Sequence, residues 1–168
     1  MCPPGTRCPY GLGPFPCPAG FYSPGSSTEC IECSHGYYCP ENSSVPIPCV
    51  PGEACQAPSR SPEACGPGFF AAKGAYNCTV CPAGHFCPSA SLFPFECPLG
   101  TYSLGAETAC HGCPAGFFCP AVNCQTRDLC PTGGYCSDPA RFTPCPAGTY
   151  NNIPGSSSSS CCKVCPAG

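Results

Sequence analysis

The chain has 168 residues and a formal net charge of −3, and 23 of its residues are cysteine. Leu, Ile, Val and Phe together make only 23 residues and Trp is absent, which excludes a globule held together by a large apolar core. Because only 9% of the residues are charged, neither a nucleic acid nor an anionic membrane surface is expected as a partner, and no apolar run is long enough to be a membrane segment.

A cysteine returns about every sixteen residues, usually at the head of a Cys-Pro-x-Gly turn. A fixed period with one small motif predicts a linear array of similar modules. The expected fold class is therefore one of small disulfide-rich repeats, in an elongated array with turns, short β-hairpins and little or no helix. The first cysteines of the repeats are Cys2, Cys17, Cys33, Cys49, Cys65, Cys81, Cys97, Cys113, Cys130 and Cys145.

The repeats are of two kinds, which differ in where the second cysteine stands. In a short repeat it follows the first by six residues, and in a long repeat by thirteen or more. In chain order, residues 1–32 hold one short and one long repeat, and residues 33–80 hold two short repeats followed by a long one. Residues 81–112 again hold one short and one long repeat. Residues 113–164 hold two short repeats and an enlarged long one, and a further repeat starts at 165–168. Since no secretory signal stands at the start and the last repeat is unfinished, we expect an internal piece of a longer protein.

Each Pro-x-Gly predicts a turn, because Pro sets φ near −65° and Gly can take a positive φ. Aromatic residues commonly follow the Gly, as in Phe21-Tyr22 and Phe117-Phe118. We expect these rings to pack between repeats, and the alternative is an exposed ladder for carbohydrate or protein partners. The segments that remain have room for strands of two or three residues, and none shows helical periodicity free of Pro and Gly.

Dense cysteine is typical of either a disulfide scaffold or a zinc protein. Four segments, such as Cys30-x-x-Cys33, have zinc-knuckle spacing. The intervening cysteines, such as Cys39, form no second pair at zinc-finger distance, and the chain has three histidines. We therefore predict structural disulfides, no metal site and an oxidising environment, which places the protein outside the cell or on its surface.

Two pairing registers fit the spacing. In the first, each repeat closes its own bridge; in the second, the last cysteine of one repeat pairs with the first of the next, as in Cys8–Cys17 and Cys39–Cys49. We favour the first, because the second needs a strained Cys-x-x-Cys bridge after every long repeat. The predicted bridges are Cys2–Cys8, Cys17–Cys30, Cys33–Cys39, Cys49–Cys55, Cys65–Cys78, Cys81–Cys87, Cys97–Cys110, Cys113–Cys119, Cys130–Cys136 and Cys145–Cys162.

Pairing within repeats leaves three cysteines over: Cys124, Cys165 and one of the adjacent Cys161 and Cys162, for which we count Cys161 as the spare. Cys124 and Cys161 lie in the two repeats with irregular spacing. We expect Cys124 and Cys161 to form links to another chain, with copies of the same protein or other extracellular structural proteins as partners. For Cys165, which opens an unfinished repeat, we expect a partner about six residues further on in a longer chain or, alternatively, on another copy.

Two Asn-x-Ser/Thr sequons, at Asn42 and Asn77, predict a glycoprotein. The second has Cys78 in its middle position, which lowers glycan occupancy when that cysteine is bridged.

The acids are scattered singly, and the histidines lie in turns away from any acid–nucleophile pair. We therefore expect no catalytic or cofactor-binding residue and no enzyme. The histidines are His35, His85 and His111.

The segments Cys17-Pro-Ala-Gly-Phe-Tyr-Ser and Cys30-Ile-Glu-Cys33, with their counterparts from Cys97 and Cys110, resemble the cysteine-rich repeats of ephrin receptors and of GCC-type repeat proteins. They are similar, more distantly, to tumour-necrosis-factor-receptor modules and other small EGF/TNFR-like modules. The resemblance covers the whole chain and implies an elongated, extracellular, disulfide-bonded rod. The expected function is that of a structural segment forming a rod, surface filament, stalk or wall, and the alternative is an adhesion or receptor ectodomain.

Overall fold

The structure, a computed structural model, describes residues 1–166. Over this range each repeat folds into one antiparallel two-stranded hairpin, which confirms the expected small disulfide-rich repeats with short hairpins. The paired strands are β1 (Thr6–Arg7) with β2 (Phe15–Pro16), β3 (Phe21–Tyr22) with β4 (Ile31–Glu32), β5 (Tyr37–Tyr38) with β6 (Ile47–Pro48), β7 (Glu53–Ala54) with β8 (Glu63–Ala64), β9 (Phe69–Phe70) with β10 (Thr79–Val80), β11 (His85–Phe86) with β12 (Phe95–Glu96), β13 (Thr101–Tyr102) with β14 (His111–Gly112), β15 (Phe117–Phe118) with β16 (Asp128–Leu129), β17 (Gly134–Asp138) with β18 (Arg141–Pro144) and β19 (Thr149–Tyr150) with β20 (Lys163–Val164).

The hairpin follows directly from the Cys-Pro-x-Gly turn. In the second repeat the amide of Phe21 donates to the carbonyl of Pro18 at 3.1 Å, which closes the turn and starts β3. The amide of Cys33, just past β4, donates to the carbonyl of Gly20 at 2.9 Å, so the first cysteine of one repeat ends the hairpin of the repeat before. Across the strands Tyr22 faces Ile31, and such aromatic–aliphatic pairs stabilise a hairpin too short to stand alone.

Strands are two residues long except in the ninth repeat, where β17 has five residues and β18 four. These strands are longer than the two or three residues expected. They are longer because β17 continues through Cys136 and the chain then turns straight back into β18. The turn is closed by Asp138, whose Oδ1 accepts from the amide of Ala140 at 2.8 Å. A register shift between Tyr135 and Asp138 accommodates the tight return.

The interior consists mostly of sulfur and small side chains. The first cysteine of most repeats and the second cysteine of most short repeats are buried, whereas large apolar residues such as Leu104 and Phe93 are exposed. Tyr102 is the one buried aromatic residue in the part of the chain that the structure describes. The fold therefore depends on bridges where other proteins depend on an apolar core.

The chain divides into two compact units. One comprises Met1–Val80 with Ser89–Phe93, and the other comprises Cys81–Pro88 with Pro94–Gly168. The helical structure of the described residues is limited to two single 3₁₀ turns, Pro9–Gly11 and Ser159–Cys161. Helix is disfavoured because Pro and Gly leave no uninterrupted stretch longer than ten residues.

Candidate functional site

Ten disulfides join cysteines of the same repeat in the described part of the chain, and each pair is one that the within-repeat register names. Their Cα–Cα separations run from 5.6 to 6.3 Å, within the range that a bridge requires. The rival pairs Cys8–Cys17 and Cys39–Cys49 are not formed. Each repeat is therefore closed on itself before the next begins.

Short and long repeats make equivalent backbone hydrogen bonds and differ in where the second cysteine stands. The sixth residue after the first cysteine is the second cysteine in short repeats and a buried Ser, Ala or Asn in long ones, as at Ser103 and Ala71. The carbonyl of Ser103 accepts from the amide of Gly84 at 2.9 Å, and that of Cys119 accepts from Gly100 at 3.1 Å. The two kinds of repeat thus offer the same backbone groups to the preceding repeat.

Backbone hydrogen bonds link successive repeats within each compact unit. In the first, the amide of Gly20 donates to the carbonyl of Cys39 at 2.7 Å, while the carbonyl of Cys17 accepts from the amide of Asn42 at 2.8 Å. In the second, the amide of Ala106 donates to the carbonyl of Cys81 at 2.8 Å. These bonds satisfy the main chain in a protein with almost no regular sheet.

The turn glycine also approaches the repeat after the next. Gly36 has a φ of +82°, and a Cβ at this position would collide with the carbonyl of Gly74, two repeats further along. Gly84, with a φ of +79°, lies in the same way against the carbonyl of Asn123. Contacts therefore extend beyond the nearest neighbours that a simple linear array predicts. Gly is required at this position by conformation and by space together.

The three spare thiols have different surroundings. Cys124, Cys161 and Cys165 have no disulfide partner among residues 1–166, and Cys165 is exposed while the other two are half-buried. The Sγ of Cys124 donates to the carbonyl of Ala121 at 3.1 Å. Links from these thiols to another chain remain a prediction.

The sulfur of Cys161 lies beside a bridge that is already formed. The Sγ atoms of Cys145, Cys161 and Cys162 all fall within 4.8 Å of one another, and Cys145 is bridged to Cys162. The sequence predicts Cys161 as the spare thiol but does not predict that it lies next to the bridge. The three sulfurs have the number and spacing of a soft-metal site, but two of them are joined to each other, which leaves one thiol as a ligand.

Both sequons are accessible. Asn42 and Asn77 are exposed, and Cys78 in the second sequon is bridged to Cys65. Asn42 has a φ of +65°, a conformation in which Asn is among the few tolerated side chains. Glycan occupancy at the two positions stays a prediction.

Arg127 holds together a cluster that sequence analysis missed. Its Nη1 donates to the hydroxyl oxygen of Tyr102 at 2.6 Å, and its guanidinium carbon lies 5.5 Å from that ring and 5.3 Å from the ring of Phe117. Tyr102 belongs to the seventh repeat and Phe117 to the eighth. The signal that could have found Arg127 is its place in the extra-long loop before Cys130.

Each of the three histidines makes a polar contact. His111 lies 3.1 Å from the carboxylate of Glu107, a contact at i,i+4 spacing that the sequence analysis did not predict, and its ring is 5.9 Å from that of Tyr102. His35 Nδ1 accepts from the amide of Ala57 at 3.1 Å, and His85 Nδ1 lies 3.3 Å from the carbonyl of Ala83.

An apolar groove of about 360 Å³ opens on the first compact unit. Phe70 and Phe93 form two of its walls, with ring centroids 6.4 Å apart, and the Phe93 side chain is 73% exposed. One cation, Lys73, stands at its edge. The lining residues are Pro51, Phe70, Ala71, Ala72, Lys73, Ser91, Leu92 and Phe93.

No helix in the described range is long and apolar enough to span a membrane.

The chain matches no protein-family model, and comparison with curated proteins finds no match either. The class of protein is therefore inferred from the sequence and structure of this chain. Ten self-closed hairpins in residues 1–166, joined by recurring backbone hydrogen bonds, make it a cysteine-rich repeat protein.

Proposed function

We propose that the chain is a structural segment of a long extracellular protein and contributes to a rod, surface filament, stalk or wall, with no enzymatic activity. The observation that carries this proposal is that one self-closed hairpin recurs and makes the same backbone hydrogen bond to the repeat that follows. The amide of Gly20 donates to the carbonyl of Cys39 in one compact unit, and the amide of Gly84 donates to the carbonyl of Ser103 in the other. A module that repeats its own docking contacts can be multiplied to any length without new chemistry.

The ten bridges support a place outside the cell. Disulfides persist in oxidising compartments, and small modules without an apolar core depend on them there. The interior of this chain is mostly bridged cysteine, so reduction would remove its main support. The proposed partners are copies of the same protein or other extracellular structural proteins, with glycans carried on Asn42 and Asn77.

We further assign the repeats to the GCC-type and ephrin-receptor-like class, with the tumour-necrosis-factor-receptor modules as more distant relatives. This assignment is supported by the Cys-Pro-x-Gly turn at the head of most repeats and by the Cys-x-x-Cys junction at the end of the long ones, as at Cys110 and Cys113. The within-repeat bridge Cys97–Cys110 fits it, because it keeps the two cysteines of the junction in different bridges.

Electron microscopy of the native material by negative staining tests the structural role. We expect long, uniform filaments, stalks or sheets that survive detergent and heat and collapse when a reductant is added. A discrete monomeric ectodomain, with the same appearance before and after mild reduction, would contradict the proposal.

The alternative, an adhesion or receptor module, is favoured by the groove at Phe93. Exposed aromatic residues around an apolar cleft are a common feature of binding surfaces. Binding of the labelled chain to extracellular material from its source tests it, with Phe93→Ser compared with Leu104→Ser, which alters a side chain 65% exposed elsewhere. Loss of binding in the first variant and not in the second supports a receptor role, and equal binding by both contradicts it.

A further inference from the structure

The tenth repeat contains a free thiol and a disulfide within reach of each other. Cys145 is bridged to Cys162, and Cys161 is unpaired among the described residues. The three Sγ atoms lie within 4.8 Å of one another. A thiolate held this close to a disulfide can attack it once its side chain turns into line with the sulfur–sulfur bond.

The geometry points to a thiol–disulfide exchange site, in which the bridge of the tenth repeat alternates between Cys145–Cys162 and Cys145–Cys161. The thiolate of Cys161 attacks the sulfur of Cys145, a new bond forms between these two sulfurs, and the bond from Cys145 to Cys162 breaks. Cys162 leaves as a thiolate and takes up the proton that Cys161 gave to solvent. The step is neutral in electrons and needs no oxidant or reductant.

The chain around the site does not favour one partner strongly. The two bridges close loops that differ by one residue, so their chain entropies are almost equal. A bridge between the adjacent Cys161 and Cys162 is disfavoured, because consecutive Cα atoms lie about 3.8 Å apart, below the separation that disulfides prefer. Two isomers are therefore expected, both of which keep Cys145 bridged.

The local structure places the attacking thiol and leaves it room to turn. Cys161 ends the 3₁₀ turn Ser159–Cys161, and its sulfur lies 3.9 Å from the carbonyl of Gly134 in the ninth repeat. The preceding Ser158 and Ser160 are exposed and bond to each other at 2.7 Å. An exposed polar loop can rearrange by one residue at little cost, whereas Asn151, at the sixth position of the repeat, is buried and anchored to Gly134.

Exchange gives the tenth repeat a thiol that moves between two neighbouring positions. Both cysteines are half-buried, so either isomer presents a nucleophile to an incoming protein or small-molecule disulfide. The inference concerns chemistry within one chain and does not depend on the proposed structural role.

Differential alkylation of the oxidised full chain tests it. Free thiols are trapped in acid-quenched samples with one maleimide, the bridges are then reduced and labelled with a second, and the two labels are located by fragmentation mass spectrometry. We expect the first label to be divided between Cys161 and Cys162, with the minor site carrying more than about a tenth of it. Label confined to Cys161 after prolonged incubation at alkaline pH would overturn the inference.

Two variants keep the test decisive. In Cys162→Ser we expect a Cys145–Cys161 bridge and an unchanged thermal unfolding profile. In Cys161→Ser the bridge is locked as Cys145–Cys162 and the first label leaves this repeat. If Cys162→Ser instead shows Cys145 and Cys161 both free, while the label at Cys124 stays as in the unaltered chain, exchange through Cys161 is excluded.

Discussion

The α-carbon of Gly36 lies against the carbonyl oxygen of Gly74, which belongs to the second repeat after its own. The amide of Gly36 donates to the carbonyl of Cys55 at 2.9 Å, in the repeat between them. One turn glycine therefore contacts both of the repeats that follow it. This double contact explains why the turn at Gly36 accepts no side chain, and the approach of Gly84 to the carbonyl of Asn123 gives the same result in the sixth repeat.

Gly36→Ala should destabilise the first compact unit. The new Cβ would meet the Gly74 carbonyl, and φ of +82° is unfavourable for alanine, so we expect a loss of roughly 1–3 kcal/mol. Chemical unfolding of the disulfide-intact protein measures it. Gly66→Ala is the matched control, because nothing lies within 4 Å of its added Cβ. Equal stability of the two variants would show that the close approach is not maintained.

A long repeat should convert to a short one by moving a single cysteine. Ser103 is buried at the position where short repeats have their second cysteine. We expect the double variant Ser103→Cys, Cys110→Ser to form a bridge from Cys97 to the introduced cysteine and to keep the thiol count of the unaltered chain. Non-reducing peptide mapping checks this, with Cys110→Ser alone as the control that leaves Cys97 free. Failure of the introduced cysteine to pair would refute the shared backbone of the two repeat types.

Arg127→Ala should weaken the junction of the seventh and eighth repeats. The variant loses a hydrogen bond to Tyr102 and two cation–π contacts, and we expect a destabilisation of about 1–2 kcal/mol. Arg60→Ala, which changes an exposed arginine, should have little effect. A double-mutant cycle with Tyr102→Phe isolates the hydrogen bond. Additive losses in that cycle would contradict coupling between the two side chains.

Asn42 should carry glycan more completely than Asn77 when the chain is secreted from a eukaryotic cell. Both are exposed, but Cys78 in the second sequon is bridged to Cys65, and early closure of that bridge competes with modification. Mass spectrometry of glycopeptides, with Asn42→Gln and Asn77→Gln as paired controls, measures the occupancies. Greater occupancy at Asn77 would contradict this order.

The hairpins and bridges could be predicted because their determinants are close in sequence. The turn from Cys17 to Gly20 and the partner at Cys30 lie within one repeat, so turn chemistry predicts the hairpin. Spacing leaves two pairing registers, and the strain of a Cys-x-x-Cys bridge favours the one that the structure has. The contact from Gly36 to Gly74 could not be predicted in this way, because it depends on how successive hairpins stack. The groove at Phe93 and the Arg127 cluster belong to no motif and arise from side chains that meet only in the folded chain.

The order of the bridges has a consequence for how the chain is made. Within residues 1–166 every bridge closes before the first cysteine of the next repeat, so none encloses another. A chain that enters an oxidising lumen amino terminus first can therefore form each native pair before the cysteines of the next repeat arrive. The tenth repeat is different, because Cys161 enters the lumen one residue before Cys162 and either cysteine can pair with Cys145. Both isomers of the tenth repeat can therefore form during biosynthesis, and exchange between them then sets their proportion.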